Sequence, residues 1–248
     1  MTAFPVLACL LVIVVGSQRI SARTNDETDR HAKTQILALP LDSMDGLEVN
    51  GLTDGASPVN VQANAAIYRG RHSVRFINND GPTGSVSGGQ ILAIVKSSVF
   101  KDGTIEADVA GFPREGAKPS TRGFIGIAFR VQDHGSRFEA FYLRMTNGRA
   151  NDQLQRNHSA QYVSHPDFPW SRLREESPGT YESYVDLDAG AWTRIKIVVA
   201  GTKAQLYVNG ADQPCLIVND LKLGDLNGQV ALWTGSDTEA YFSNLTVK

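Results

Sequence analysis

The sequence has few cysteines and almost no net charge, and both shortages exclude classes of protein. Its 248 residues include only two cysteines, too few for a scaffold that many disulfides hold together. The 24 Lys and Arg nearly balance the 26 Asp and Glu, so the formal net charge is -2. Proteins that bind nucleic acid need a basic surface, which such a balance does not provide. We therefore predict no nucleic-acid partner.

Several motifs of catalysis and cofactor binding are also absent from the sequence. There is no Gly-x-Ser-x-Gly elbow, no P-loop, and no GxGxxG segment followed by a helix. The two histidines His158 and His165 are spaced too loosely for a helical HExxH zinc site, and no cysteine accompanies them. We predict no metal and no cofactor.

An apolar run near the N-terminus is too short to span a bilayer comfortably. Residues Phe4 to Gly16 carry no charge, whereas a spanning helix needs about 20 apolar residues. Small residues up to Ala22 and a polar stretch follow the run, a pattern typical of a secretory signal. We predict a signal peptide at residues 1–22, a flexible leader at 23–35, and a secreted or periplasmic mature chain without a membrane span. An uncleaved anchor is the alternative.

Residues 36–248 have the pattern of many short strands in a single domain. Ile195, Ile197 and Val199 alternate with Arg194 and Lys196, as in a strand with one buried face. No window holds a long helical stripe of apolar residues. A turn-rich stretch lies around the Asn-Gly and Asp-Gly pairs of residues 45–55. The pattern predicts an all-β fold, an antiparallel sandwich of two sheets.

One stretch, residues 147–190, breaks the rhythm of strands. Polar side chains are dense there, and only Ser159–Ser164 and Tyr181–Leu187 are candidate strands. A loop this long within a compact domain is usually functional or disordered, but disordered segments are poor in aromatic residues. This stretch has five of them: Tyr162, Phe168, Trp170, Tyr181 and Tyr184. We predict an ordered loop that lies over a sheet and carries a binding site.

Three successive segments carry a resemblance to a known superfamily: Phe100–Val109, Gly123–Arg130 and Phe138–Arg144. They resemble strands of the concanavalin A-like lectin/glucanase superfamily, and segments from Trp192 to Leu245 continue the likeness. The strand order is similar to that of laminin-G-like domains and of the group named 3-keto-disaccharide hydrolase. The resemblance implies a jelly-roll sandwich from about residue 36 onward, whose concave face often handles carbohydrate. By itself it implies no activity.

The resemblance also directs attention to two charged residues. The hydrolase group tends to carry an Arg that closes one strand and a Glu early in the next, and Arg130 and Glu139 match that pattern. Strict alternation puts Glu139 on one face of its strand and Tyr142 with Arg144 on the other. Which face lines the cleft stays open. Glu106 and Asp108 begin a Glu-x-Asp-x-x-Glu pattern that lacks its third carboxylate, so we expect no laminarinase-type mechanism.

A sugar site needs flat aromatic rings that stack on a pyranose and planar groups that donate to its hydroxyls. The stacking candidates are Tyr142, Tyr162 and Trp170. The donor candidates are Arg130, Arg144, Asn157, Gln161 and Arg172. For acid and base chemistry the candidates are Glu139, His158, His165 and Glu182.

Three functions are consistent with these residues. We favour a secreted β-sandwich that recognises an oligosaccharide or polysaccharide on its concave face. The second is a glycoside hydrolase or lyase, similar to 3-keto-disaccharide hydrolases, that uses a Glu/His pair as acid and base. The third is a laminin-G-like interaction module, against which the density of titratable side chains in residues 147–190 argues.

Overall fold

The structure is a computed structural model that describes residues 1–2, 36–52, 61–78 and 89–248. The chain divides into two units, Met1–Lys33 and Thr34–Lys248, and of the first only Met1 and Thr2 are described. The predicted signal peptide and leader, residues 1–35, therefore lie otherwise outside the described residues. No helix in the described ranges is both long enough and apolar enough to cross a membrane.

The described residues form fifteen strands and two short α-helices. The strands are β1 (Leu37–Leu39), β2 (Leu47–Leu52), β3 (Val61–Tyr68), β4 (Arg71–Asn78), β5 (Gln90–Val95), β6 (Gly103–Pro113), β7 (Phe124–Gln132), β8 (Arg137–Arg144), β9 (Ala160–His165), β10 (Glu182–Ser183), β11 (Thr193–Ala200), β12 (Lys203–Val208), β13 (Leu216–Val218), β14 (Gln229–Thr234) and β15 (Thr238–Val247). The helices are α1 (Gln153–Asn157) and α2 (Trp170–Glu176). Two 3-10 turns, Asp133–Gly135 and Met145–Asn147, flank β8.

The strands are arranged in two antiparallel sheets. The first sheet has the order β13-β12-β11-β6-β15-β4-β3, and β1 pairs with the C-terminal end of β15. The second sheet has the order β10-β9-β8-β7-β14-β5-β2. Both sheets combine consecutive neighbours, such as β11-β12 and β7-β8, with neighbours distant in sequence, such as β6-β15 and β7-β14, as in a jelly roll. The predicted two-sheet antiparallel sandwich is confirmed.

Alternation along the strands builds the core between the sheets. On β11, Ile195, Ile197 and Val199 are buried, while Arg194 and Lys196 stay half-buried on the outer face. Ile197 pairs with Ile105 of β6, so apolar rows of adjacent strands face the second sheet together. Removing these side chains from water is the main stabilisation of such a sandwich.

The edge strand β2 is the largest departure from the predicted strands. The Asn50-Gly51 pair predicts a turn, but both residues pair with β5, opposite Leu92 and Ile91. Leu47 is buried and Val49 packs against the core. Burial of one apolar face therefore outweighs the local turn preference of Asn-Gly. Another departure is β10, where only Glu182–Ser183 of the candidate strand Tyr181–Leu187 pairs.

Residues 147–190 extend the second sheet and cover one end of it. Strand β9 pairs with β8, so that Gln161 lies opposite Tyr142. Helix α1 begins where Asp152 Oδ1 accepts a hydrogen bond from the Gln155 amide at 2.7 Å, a typical N-cap. Helix α2 buries Leu173 against the core. The predicted polar, aromatic-rich stretch is thus made of two helices and two strands.

Candidate functional site

The alternation of β8 decides which predicted residues share a face. Glu139, Phe141 and Leu143 lie on the inner face of the second sheet and belong to or border the core. Tyr142 and Arg144 lie on the outer face, together with Gln161 of β9, which pairs with Tyr142. The cleft face, left open by the sequence, is therefore the face of Tyr142 and Arg144.

The floor of the site is an aromatic pair that spans three strands. Gly126 of β7 pairs with Tyr142 of β8 on one side and with Trp233 of β14 on the other. Because Gly126 has no side chain, the two rings meet above it, with centroids 4.7 Å apart and an interplanar angle of 27°. A Cβ atom at Gly126 would lie 2.1 Å from the carbonyl oxygen of Phe141, so any side chain there would force the two strands apart.

A cavity of about 690 Å³ lies over this floor, and we call it the aromatic cavity. Phe124 packs edge-on against Tyr142 at 6.2 Å, and Trp233 donates from Nε1 to Gln90 Oε1 at 2.7 Å. The lining also includes His165 and Trp170. The volume falls within the range typical of small-molecule pockets.

A second cavity of about 510 Å³ continues from the first, because Phe124 and Trp170 line both. We call it the cationic cavity, because Arg122, Arg144 and Arg174 line it, with His158 beside them. Asp152 is the one acidic residue among its lining residues. The two cavities adjoin on the outer face of the second sheet, and we call them together the groove.

Arg144 connects the floor to the cationic cavity. Its Nη2 donates to Tyr142 Oη at 3.0 Å and to Gln161 Oε1 at 3.1 Å, and its Nη1 donates to the His158 carbonyl at 2.9 Å. The residue is only 6% exposed. All three acceptors are neutral, so Arg144 is a buried cation that hydrogen bonds hold in place without a carboxylate partner among the described residues.

Arg174, Glu182 and His158 form an ionic group at the wall of the cationic cavity. Arg174 donates from Nη2 to Glu182 Oε2 at 2.6 Å and from Nε to Oε1 at 3.0 Å, a two-point ion pair. His158 Nδ1 lies 2.8 Å from Glu182 Oε2. Burial lowers the pKa of His158, and Arg174 and Arg144 lower it further, against the opposing effect of Glu182. The imidazole is therefore neutral at pH 7.

Trp170 forms the rim between the two cavities. It is the first residue of α2, and 46% of it is exposed. The guanidinium of Arg174, one turn later, lies 4.7 Å from the ring centroid, and that of Arg144 lies 5.8 Å away. Two cation–π contacts therefore orient an indole that is otherwise open to a ligand.

Arg130 lies away from this groove. It is completely buried and donates to the carbonyl oxygens of Lys101, Gly201 and Gly224. Strict alternation predicts Arg130 on the face of Gly126, but its backbone is left-handed, with φ 52, and the pairing of β7 with β8 shifts register there. The side chain therefore joins three loops at the end of the sandwich and does not line either cavity.

Glu139 and Tyr162 lie together in the interior. The Glu139 carboxylate accepts hydrogen bonds from Tyr162 Oη and from the Leu223 amide, while Tyr162 Oη accepts one from the Lys222 amide. Burial raises the pKa of Glu139 to about 7, although both hydrogen bonds favour the ionised form. Both residues are fully buried and line neither cavity. Their contacts attach the Lys222–Leu223 segment to the second sheet.

The remaining predicted residues divide in the same way. His165 lines the aromatic cavity and stacks on Phe138 with centroids 4.8 Å apart. Asn157, at the end of α1, accepts a hydrogen bond from Gln153 outside the groove. Arg172 pairs with Glu176 on the exposed side of α2. The predicted residues that line the groove are Tyr142, Arg144, His158, His165 and Trp170. Gln161 and Glu182 lie behind the lining, where they bond to Arg144 and Arg174.

The groove residues that sequence reasoning missed include Phe124, Arg122, Arg174 and Trp233. Trp233 lies in the alternating segment that predicts β14, but its partner strand depends on long-range register, which alternation does not give. Arg174 follows Trp170 by one helical turn, a spacing that could have linked the two if a helix had been predicted. Among the described residues, no group of three or more His, Cys, Asp or Glu side chains could hold a metal ion.

No protein-family model matches this chain, and no curated protein matches it. Solved structures similar to it include a carbohydrate-binding module, CBM66, from Bacillus subtilis, at 14% identity and a TM-score of 0.48, covering 77% of this chain and 96% of the module. A β-glucanase from Bacillus licheniformis is similar at 12% identity and a TM-score of 0.48, covering 86% and 98%. The lumenal domain of VIP36, in a form bound to calcium and mannose, is similar at 12% identity and a TM-score of 0.47, covering 79% of this chain and 88% of that domain.

Proposed function

We propose that the protein binds a carbohydrate in the groove formed by the aromatic and cationic cavities. The observation that carries the proposal is the exposed indole of Trp170 at the rim of a cavity whose floor is the buried, stacked pair Tyr142 and Trp233. A pyranose has a flat apolar face of C–H groups, and aromatic rings are the side chains that stack on such a face. Arg144 and Arg174 beside the rings can donate to hydroxyl oxygens.

Binding is favoured over hydrolysis by the placement of the carboxylates. A glycosidase of the usual kind needs two carboxyl groups about 5–10 Å apart on either side of the scissile bond. Glu139 is inside the sandwich, Glu182 is held by Arg174, and Asp152 caps α1. Neither cavity has two carboxylates among its lining residues. The groove therefore has stacking and donor groups without the usual acid and base pair.

One observation favours an enzyme as the second candidate. His158 lines the cationic cavity as a neutral imidazole, with a lowered pKa and with Glu182 2.8 Å from its Nδ1. A neutral imidazole beside a carboxylate is suited to abstract a proton. A lyase, or a hydrolase similar to those that act on 3-keto-disaccharides, could use His158 in this way.

The experiment titrates the full chain with a panel of oligosaccharides, follows binding by calorimetry and tryptophan fluorescence, and follows products by mass spectrometry. We expect saturable binding without products. Trp170→Ala should abolish binding, whereas Tyr184→Ala should not. Tyr184 is a matched control because it is also exposed and also stacks on an arginine, Arg156, but lies outside both cavities. Product formation lost in His158→Gln would support the enzyme, and absence of binding to every oligosaccharide would refute both.

We also propose that the protein acts after secretion. The apolar run Phe4 to Gly16 and the small residues up to Ala22 support this. Expression in a secretory host, followed by mass measurement of the exported chain, tests it. The expected product begins near Arg23, and retention of the whole chain in the membrane fraction would favour an uncleaved anchor.

A further inference from the structure

We propose that the carbohydrate bound in the groove is acidic, and that its carboxylate or sulfate group is bound in the cationic cavity. The inference rests on the proposed carbohydrate function and adds the chemical class of the ligand. Three arginines line this cavity, Arg122, Arg144 and Arg174, and two carboxylates oppose them, Asp152 in the lining and Glu182 behind it. Because His158 is neutral, these three arginines and two carboxylates have a net charge of +1.

The net charge lies on two arginines that have no charged partner among the described residues, and this placement favours an anionic ligand. Arg174 is paired with Glu182, so the charge belongs to Arg122 and Arg144. Arg122 donates to the carbonyl oxygens of Pro119 and Thr121, and all acceptors of Arg144 are neutral as well. Neither guanidinium forms an ion pair with any described residue. An anion in the cavity would be the first charged partner of both.

Arg144 makes the stronger case of the two, because it is 6% exposed. A charge removed from water is costly unless it is paired, and hydrogen bonds to neutral acceptors offset only part of that cost. An incoming carboxylate or sulfate would supply the missing partner, whereas a neutral hydroxyl would not. The arrangement therefore favours an anionic group over a hydroxyl at the same position.

Unused donors in the cavity match this assignment. In the described part of the chain, Nε of Arg144 and Nη1 of Arg174 donate to no protein acceptor. Guanidinium groups bind carboxylate and sulfate oxygens through short, charge-assisted hydrogen bonds. The aromatic cavity, whose lining has no acidic residue and no Arg or Lys, would hold the neighbouring sugar ring on Tyr142 and Trp233.

The test measures affinity for pairs of oligosaccharides that differ in charge alone. Hexuronate oligomers are compared with their methyl esters, and sulfated hexose oligomers with the desulfated forms. The acidic member of at least one pair should bind about tenfold or more tightly than its neutral partner, as expected for a charge-assisted contact. Raising the salt concentration toward about 1 M should shrink the difference, because ions screen it. The two kinds of pair show whether the carboxylate or the sulfate is preferred.

Variants locate the effect within the groove. Arg144→Met should remove most of the preference for the acidic member, and Arg122→Gln should weaken it with less risk to folding, because Arg122 is not fully buried. Arg137→Gln removes the same charge from an exposed position of β8 outside both cavities, so it should change nothing. Thermal unfolding of each variant confirms that it is folded.

The outcomes separate the two proposals. If neutral and acidic members bind equally well, or if Arg144→Met and Arg122→Gln leave their ratio unchanged, the acidic assignment is wrong and carbohydrate binding stands. If no member of any pair binds, the proposed function itself is wrong. A preference that Arg137→Gln weakens as much as Arg122→Gln would reflect the charge of the whole surface and would also overturn the assignment.

Discussion

The rings of Tyr142 and Trp233 stack directly above Gly126, which separates them in the second sheet by one strand. A side chain on β7 at this point would stand between the rings. The stack of the two rings therefore depends on Gly126, because this residue has no side chain. The same absence brings β7 close to β8, because a Cβ would lie 2.1 Å from the Phe141 carbonyl oxygen and 2.7 Å from Tyr142 Cβ.

The first prediction is that Gly126→Ala destabilises the sandwich and weakens binding. The added methyl has no room against the backbone of β8, so the strands must separate. We expect a loss of about 3 kcal/mol, at the upper end of typical costs of overpacking. Urea denaturation measures the loss, and ligand titration of the folded variant measures the effect on the aromatic floor.

Gly46→Ala is the matched control for this change. A Cβ at Gly46 meets nothing within 4 Å, although its φ of +76 lies in the left-handed region. Its cost is therefore backbone strain alone, about 1 kcal/mol. Equal losses in the two variants would mean that the space above Gly126 is not what limits that position.

The second prediction concerns the stability of the fold as a function of pH. Burial raises the pKa of Glu139 from an ordinary 4.5 to about 7 in the folded protein. Between pH 4.5 and about pH 7, Glu139 therefore keeps its proton in the folded state, whereas the unfolded state has released it. Stability from this group is fully present below pH 4.5 and is lost as the pH rises through 7, by a total on the order of 3 kcal/mol.

Glu139→Gln tests this, because the amide is neutral at every pH. The difference in unfolding free energy between the variant and the natural chain should change across this pH window, in favour of the variant at the higher pH. Glu115→Gln is the control, since it makes the same change at an exposed position. A flat difference for Glu139→Gln would contradict a buried carboxyl that titrates near neutrality.

Alternation could predict the sandwich but could not predict the floor of the groove. Ile195, Ile197 and Val199 indicate one buried face of a strand from local sequence alone. The contact between Tyr142 and Trp233 needs the register of two strand pairs, and register is set by the packing of whole sheets. Local sequence therefore identifies strands well and their neighbours poorly.

Arg130 shows a second limit of the same reasoning. Its position in an alternating strand predicts that it faces the cleft, but a left-handed backbone and a register shift turn it into the end of the sandwich. Non-glycine residues adopt that conformation rarely, and no residue pattern in the segment Gly123–Arg130 predicts it. Arg174 was missed for a different reason, because the short helix that places it beside Trp170 has too few residues for a periodic pattern.

The third prediction is that Arg130 stabilises the fold and does not bind ligand. Arg130→Met removes a fully buried guanidinium that donates to the carbonyl oxygens of Lys101, Gly201 and Gly224. Each hydrogen bond of this kind contributes about 1 kcal/mol, so we expect a loss of about 3 kcal/mol in unfolding free energy. Arg137→Met, at an exposed position, should cost less than about 0.5 kcal/mol.

Binding measurements on the same variants complete this test. At a temperature where Arg130→Met remains folded, its affinity for oligosaccharide should equal that of the natural chain, because Arg130 lines neither cavity. A variant that stays as stable as the natural chain but no longer binds would place Arg130 in the site after all.

The fourth prediction is that the affinity for an acidic oligosaccharide rises as the pH falls. Burial, together with Arg174 and Arg144, lowers the pKa of His158 below its ordinary 6.5, and Glu182 opposes this. The imidazole is therefore neutral at pH 7 and gains a proton only below pH 6.5. An anion in the cationic cavity stabilises the protonated form, so binding and protonation favour each other.

Calorimetric titrations between about pH 7 and pH 5 measure this effect, a range in which a carboxylate ligand stays largely ionised. The natural chain should bind more tightly at the lower pH and should take up protons on binding. His158→Gln should bind with an affinity that hardly depends on pH, whereas His134→Gln should behave as the natural chain does, because His134 lies outside both cavities and pairs with Glu48. If the pH dependence survives in His158→Gln, the proton is taken up elsewhere, and His158 does not face the anion.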